Sequence, residues 1–263
     1  MIRLVLSNQR GGVAKTTTTH TLARYFADQG LKVLLIDTDP QGSLGAVLGL
    51  KPRHYLHQFV IHRYPLKECA LEAYPGIDIL CSNRETAATE QALYGMVGRE
   101  MIFENLFSKV DSEYDVVLID VAPSISMLQN CALVYARQML IPVTMDPLSL
   151  QGIGANVESS RVLQAAFKLD VRAVAILPVM VDRRLQMTAI VMESLMELAE
   201  KLRIPVLHAI RVDATVTKAS RARQFLMDYD PGCRAVEDYQ LASQELASLL
   251  REQMDEIPLQ VSA

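Results

Sequence analysis

The chain has 263 residues, half of them apolar, with 26 basic and 30 acidic side chains and a formal net charge of −4. That stock of apolar side chains fills one large α/β domain over residues 1–263 better than two small ones, and no linker, charge block or internal repeat divides it. No run is long and apolar enough to span a bilayer and the start reads as a core strand rather than a signal peptide, so a soluble, cytoplasmic protein is expected. Cys69, Cys81, Cys131 and Cys233 show neither CxxC pairing nor a His at metal-ligand spacing, which points to reduced thiols rather than a metal centre.

In chain order, the apolar opening at residues 2–6 predicts a strand and residues 15–29 a helix, joined by a Gly-containing loop. Residues 31–36 predict a second strand. The His, Tyr and Pro content of residues 51–74 suggests an irregular helical lid or surface segment, with nothing catalytic assigned to His54, His57 or His62. Further strands are predicted at residues 77–80, 116–119, 138–143, 171–178 and 204–210. Helices are predicted around residues 96–110 and at 151–168, 186–202 and 239–253. Strands alternating with amphipathic helices predict βαβ units and a mostly parallel, twisted sheet with helices on both faces.

The chemistry gathers at strand ends. Val5-Leu-Ser-Asn-Gln-Arg-Gly-Gly-Val-Ala-Lys-Thr-Thr17 runs from a strand through a loop into a helix N-terminus. In such a loop, backbone N–H groups and the positive helix end face phosphates, a Lys neutralises the β/γ oxygens, and a hydroxyl completes a Mg²⁺ shell. Gly11, Gly12, Val13 and Ala14 form the cradle, Lys15 and Thr16 stand where the charge and the metal ligand are required, and Thr17 faces the α-phosphate side. The second strand ends in Asp37-Thr-Asp-Pro-Gln-Gly-Ser43 and the strand at 116–119 in Asp120-Val-Ala-Pro-Ser124. Open parallel α/β sheets bind ligands at these carboxyl ends.

The loop departs from GxxxxGK[ST]: Gly is absent where that pattern begins, and Ala14 precedes Lys15. What stands is [K/R]-G-G-x-x-K-[S/T], which resembles the deviant Walker A loop, usually Lys-Gly-Gly-Val-Gly-Lys-Thr-Thr, of the ParA/MinD ATPases. The resemblance implies a P-loop NTPase fold with ATP and Mg²⁺ as cofactors. It makes Asp39, in a stretch similar to Asp-x-Asp-Pro-x-x-Asn/Ser, the residue that positions the attacking water and lies near the metal, with Asp37 supporting the metal shell or the loop. It makes Asp120 the holder of a water of the Mg²⁺ shell, and Pro123 and Ser124 part of a switch segment. Arg10 occupies the place of the family's additional Lys, which reaches across an ATP-dependent sandwich dimer. An Arg keeps the charge with a different fork and reach, so it acts either as a trans arginine finger or as a dimer clamp with slow hydrolysis. If the Ala14 position requires φ > 0, its methyl costs about 1–2 kcal/mol.

Residues 178–184 resemble the adenine-side loop, with Asp182 to read the base edge and Met180 or Val181 to pack beside it. The stretch 210–239 is similar to the ending of partition ATPases, whose dimers bind DNA nonspecifically. Lys201, Arg203, Arg211, Lys218, Arg221, Arg223 and Arg234 make this part basic within an acidic chain, which suits phosphate contacts whose affinity falls with salt. The expected function is therefore a ParA-type ATPase that dimerises on ATP, binds double-stranded DNA on the nucleoid, and positions a plasmid, chromosome region or protein cargo with a ParB-like or adaptor partner. A metabolic ATP-dependent ligase stays open as an alternative. A MinD-like membrane ATPase needs a basic amphipathic C-terminal helix, and the acidic, Pro-interrupted tail at 252–258 disfavours it. A reductase would need cluster-ligating Cys residues in the switch loops, which Cys131 alone does not supply.

Overall fold

A computed structural model of the protein describes residues 1–255. In chain order the elements are β1 (Ile2–Leu6), α1 (Lys15–Asp28), β2 (Val33–Asp37), α2 (Ser43–Val47), α3 (Leu56–Val60), α4 (Leu66–Cys69), β3 (Ala70–Tyr74), β4 (Ile77–Leu80) and α5 (Thr86–Tyr94). There follow α6 (Ile102–Phe107), β5 (Val116–Asp120), α7 (Met127–Ala136), β6 (Gln138–Val143), α8 (Pro147–Phe167), β7 (Arg172–Pro178), α9 (Gln186–Leu202), α10 (Ala214–Ala222), α11 (Leu226–Tyr229) and α12 (Arg234–Asp255).

The strands form one seven-stranded sheet in the order β3-β4-β2-β5-β1-β6-β7. Every neighbouring pair is parallel except the β3–β4 edge hairpin. The central strands are apolar throughout because both faces are covered. Their side chains still divide with period two. Leu34, Ile36, Val117 and Ile119 enter the core under α3 to α9, while Val33, Leu35, Val116 and Leu118 enter the core under α1, α2 and α10 to α12. The expected α/β fold with helices on both faces is what forms.

Three local expectations are corrected. Residues 51–74 hold two short helices and then an edge strand, β3, whose half-exposed side chains carry little apolar signal. The helix expected at 96–110 is a 3₁₀ turn at Arg99–Met101 followed by the shorter α6. Residues 204–210 run beside β7 but only bridge to it, at Ile176–Val206 and, just beyond, Val181–Arg211. The ladder starts, since Ile176 N–H donates to Pro205 O and Leu207 N–H to Ile176 O. It is interrupted because the next donor on β7 would be Pro178, which has no N–H, and it resumes where Ile210 N–H donates to Pro178 O and Val181 N–H to Ile210 O. Of the tail at 252–258, residues 256–258 lie outside the described residues. Among the described residues no helix is long and apolar enough to cross a membrane.

Candidate nucleotide site

β1 lies between β5 and β6, so its carboxyl end opens at the place where the sheet order changes direction, the usual ligand crevice of doubly wound sheets. The loop leaving β1 turns by left-handed residues at Gly12 (φ 76°) and Ala14 (φ 55°, ψ 28°). The expectation that Ala14 would be strained if φ were positive is therefore realised. Its carbonyl accepts the Thr18 N–H at 2.8 Å and starts α1. Gly11 lies against Pro123, whose ring carbon would stand 3.9 Å from a β-carbon at Gly11. The phosphate loop and the segment after Asp120 thus touch.

Lys15 is buried at the first turn of α1, and its ammonium folds back over the loop to the carbonyls of Asn8 (3.0 Å) and Arg10 (3.3 Å). Burial lowers its pKa, while the charges of Asp120 and Asp39 work against that shift. The Thr16 hydroxyl donates to Asp120 Oδ2 at 2.6 Å. Asp120 Oδ1 is buried and has no hydrogen-bond partner among the described residues. Such an atom is costly unless something polar meets it, so this orphaned oxygen beside a Thr hydroxyl fits a Mg²⁺ ion or one of its waters.

The register places Asp37 directly opposite Asp120 on the neighbouring strand. Asp37 is wholly buried, and its two oxygens accept the N–H groups of Asp39 and Leu44, each at 3.0 Å. Of the two roles open to it, the geometry is that of a loop holder. Burial pushes its carboxyl well up, Asp120 adds to this, and the two backbone hydrogen bonds pull it back. For Asp120 burial again raises the pKa, opposed by the Thr16 hydroxyl and Lys15. Asp39 is only partly buried; one oxygen accepts the Gln41 N–H at 2.9 Å, and its charge bears on both Lys15 and Asp120. Lys15, Thr16, Asp39 and Asp120 are therefore brought together. Thr17 follows them on α1, and the Arg10 side chain projects into solvent beside them.

The loop after β7 opens on the same sheet edge. Met180 has φ 53° and is 44% exposed, Val181 is buried, and the Asp182 carboxylate is taken up by Arg184, at 2.8 Å to Nε and 2.7 Å to Nη2. Those bonds hold the Asp182 carboxyl down at about 2.

The basic residues do not form one patch. Arg203 caps α9, in the layer that covers one face of the sheet, whereas α10 packs by Ala219 into the core of the other face. Arg211 is bound to Asp238, at 2.7 Å and 3.0 Å to one oxygen and 2.9 Å to the other, and to Glu237 at 2.8 Å. It fastens α12 to the segment that runs beside β7. Lys218, Arg221 and Arg223 are exposed on α10 and its cap, and the Arg223 stem lies against Gly49. Sequence reasoning missed Ser7, Asn8, Gln129 and Asn156, a buried polar cluster behind the loop; its only sequence signal is polar residues at positions flanked by core apolar ones.

A family profile described as an AAA domain matches residues 1–173. The chain is 26% identical to the sporulation initiation inhibitor protein Soj of Bacillus subtilis, over 93% of this chain and 98% of that one. Among solved structures it is similar to cobyrinic acid a,c-diamide synthase of Mycobacterium smegmatis with bound ADP and magnesium, at 28% identity and a TM-score of 0.78, covering 97% and 96% of the two chains. It also superimposes on McdA of Cyanothece at 20% identity with a TM-score of 0.82, covering 94% and 99%, a likeness of fold.

Proposed function

The chain belongs to the ParA/MinD family of P-loop ATPases, and from that premise we propose that it is a partition or positioning ATPase whose nucleotide state switches it between a free monomer and a DNA-bound dimer. The observation that carries the nucleotide chemistry is the cluster of Lys15, Thr16, Asp39 and Asp120 at the mouth of β1, with one Asp120 oxygen left without a partner.

ATP is the substrate, and phosphoryl transfer to water needs positioning and charge neutralisation more than a strong base. The loop from Gly11 to Ala14 and the α1 N-terminus receive the phosphates, and Lys15 exchanges its two carbonyl partners for phosphate oxygens. Thr17 meets the α-phosphate side. Thr16 and Asp120, with Asp39 nearby, would hold Mg²⁺, which would supply charge neutralisation at the phosphates. Asp39 orients the attacking water, while Asp37 keeps the loop that carries Asp39 in place. The segment from Met180 to Asp182 receives the base, for which Asp182 must release Arg184. Arg10 reaches a second copy of the chain across the nucleotide. The exposed cations of α10 take DNA phosphates, and a ParB-like or cargo adaptor protein stimulates hydrolysis and returns the dimer to monomers.

Binding to nonspecific duplex DNA, with ATP, with ADP and without nucleotide at two salt concentrations, tests this reading. ATP-dependent binding that weakens steeply with salt is expected. The likeness to an amide synthase supports a second reading, an ATP-dependent ligase on the same scaffold. Turnover that ignores DNA but rises with an amide donor and a carboxylate acceptor would select it.

A further inference from the structure

Asn8 follows β1, is 1% exposed, and spends its side-chain amide and its backbone carbonyl on the phosphate loop or its support. Its side-chain oxygen accepts the Arg10 N–H at 2.9 Å, its side-chain nitrogen donates to Pro142 O on β6 at 2.8 Å, and its backbone carbonyl accepts Lys15 Nζ at 3.0 Å. Because Lys15 Nζ also reaches Arg10 O at 3.3 Å, the Arg10 peptide is held from both ends while its side chain stays exposed. A carboxamide accepts on one side and donates on the other, as these two partners require. Asp would leave Pro142 O without its donor.

The clamp has a wall. On α8, a β-carbon at Gly152 would stand 2.1 Å from Asn8 Oδ1, so the absence of a side chain at 152 is what admits the amide. The wall is fixed in turn: Asn156 donates to Gly152 O at 2.8 Å, and its own oxygen accepts the Ser7 hydroxyl at 2.6 Å. Gln129, in the first turn of α7, donates to the same Ser7 hydroxyl at 3.0 Å. α8 therefore cannot slide away from the end of β1 without breaking the buried Ser7–Asn156 hydrogen bond.

The geometry points to Asn8 as a positioning residue for Arg10: wedged between Pro142 and Gly152, it fixes the peptide from which the Arg10 guanidinium projects. This rests on the reading of Arg10 as a group that acts on nucleotide across the dimer. Asn8 itself touches no substrate. A misplacement of about 1 Å in such a group can cost on the order of a hundredfold in rate.

The test is steady-state ATP hydrolysis by the full chain, with kcat and KM for Asn8→Ala, Arg10→Ala, their double variant, and Gly152→Ala alone and in the Asn8→Ala background. Asn8→Ala is expected to lower kcat by roughly tenfold to a hundredfold while KM stays within about threefold. The double variant is expected to turn over no more slowly than Arg10→Ala alone, since the two act as one unit. Gly152→Ala, whose methyl meets the amide, is expected to give the same loss of kcat, and to give none in the Asn8→Ala background, where the obstructing oxygen is gone. Losses that multiply in the Asn8/Arg10 double variant, or an unchanged kcat in Asn8→Ala, overturn the inference. If Asn8→Ala does not fold, Asn8→Asp and Gly152→Ala carry the same comparison with Arg10→Ala. A silent Arg10→Ala is a separate outcome: it overturns the reading of Arg10, and the role of Asn8 falls with it.

Discussion

Thr16 donates its hydroxyl to Asp120 Oδ2 at 2.6 Å across the gap between α1 and β5, and the other oxygen of the same carboxylate is buried with no partner among the described residues. On the proposed reading the pair would hold Mg²⁺ or one of its waters. Asp120→Asn should weaken Mg²⁺-dependent ATP binding by about tenfold to a hundredfold, the usual effect of losing a group that supports a metal. Binding of ATP in EDTA should change far less. Isothermal titration with and without Mg²⁺ checks this, and an equal loss in both conditions would remove Asp120 from the metal.

Lys15 and Asp39 should fail differently. Lys15→Ala removes the one buried cation aimed back over the loop, and should cost at least about a hundredfold in nucleotide affinity, as truncating a buried charge partner does. Asp39→Ala should leave affinity within a few-fold and stop hydrolysis, so that ATP accumulates a long-lived dimer. Equilibrium binding of a fluorescent nucleotide, beside gel filtration in ATP, separates the two. Equal loss of binding in both variants would refute the assigned roles.

These site residues were legible because each is encoded locally: a Gly-rich turn between an apolar strand and a helix, and Asp residues at the ends of apolar runs. What the sequence hid was set by distant contacts. α7 has nine of its ten residues buried, so no polar stripe marks it as a helix. The segment at 204–210 reads as a strand, yet Pro178 on its neighbour interrupts the pairing and leaves isolated bridges. Arg211 looked like a free cation because Asp238, its buried partner, is 27 residues away in sequence. Arg203 and Arg223 are close in sequence and lie on helical layers separated by the sheet.

Ala14 holds a left-handed conformation, φ 55° and ψ 28°, at the start of α1. A methyl group there costs about 1–2 kcal/mol, partly offset by the greater chain entropy that Gly brings to the unfolded state, about 0.4–1 kcal/mol. Ala14→Gly should therefore raise stability by about 0.5–1 kcal/mol, read as a higher urea midpoint at an unchanged slope. A lower midpoint would show that the methyl contributes packing that outweighs its strain.

His20 introduces a pH dependence that has nothing to do with catalysis. It is buried on α1 with its ring edge toward Phe225, 6.0 Å between centroids, and burial lowers its pKa from 6.5 to about 4. The unfolded chain takes up this proton first as pH falls, so the stabilising contribution is fully present above pH 6.5 and is lost through the window down to pH 4. The full loss is about 3 kcal/mol at most, by the usual conversion of pKa difference to free energy. Wild type should lose that much more stability than His20→Gln between pH 7.5 and pH 4, as measured by urea denaturation. Parallel losses in the two proteins would mean that the carboxylates alone govern acid unfolding.

The basic residues of the C-terminal part should divide into three kinds. Lys218, Arg221 and Arg223 are exposed on α10 and its cap, and each change to Ala should weaken ATP-dependent DNA binding and flatten its salt slope by about one. Arg203 projects from the other helical layer, so Arg203→Ala should leave both quantities unchanged. Arg211 is spent on Asp238 and Glu237. Burial works to raise the Asp238 carboxyl, and the Arg211 hydrogen bonds outweigh it and hold the group low. Arg211→Ala would leave Asp238 buried beside His208 alone, at 3.5 Å. Its effect should be a lower Tm with little change in the salt slope of the folded protein. Fluorescence anisotropy across a salt series, paired with thermal melts, sorts the three kinds. A slope change in Arg203→Ala, or none in all three α10 variants, would move the DNA surface away from α10.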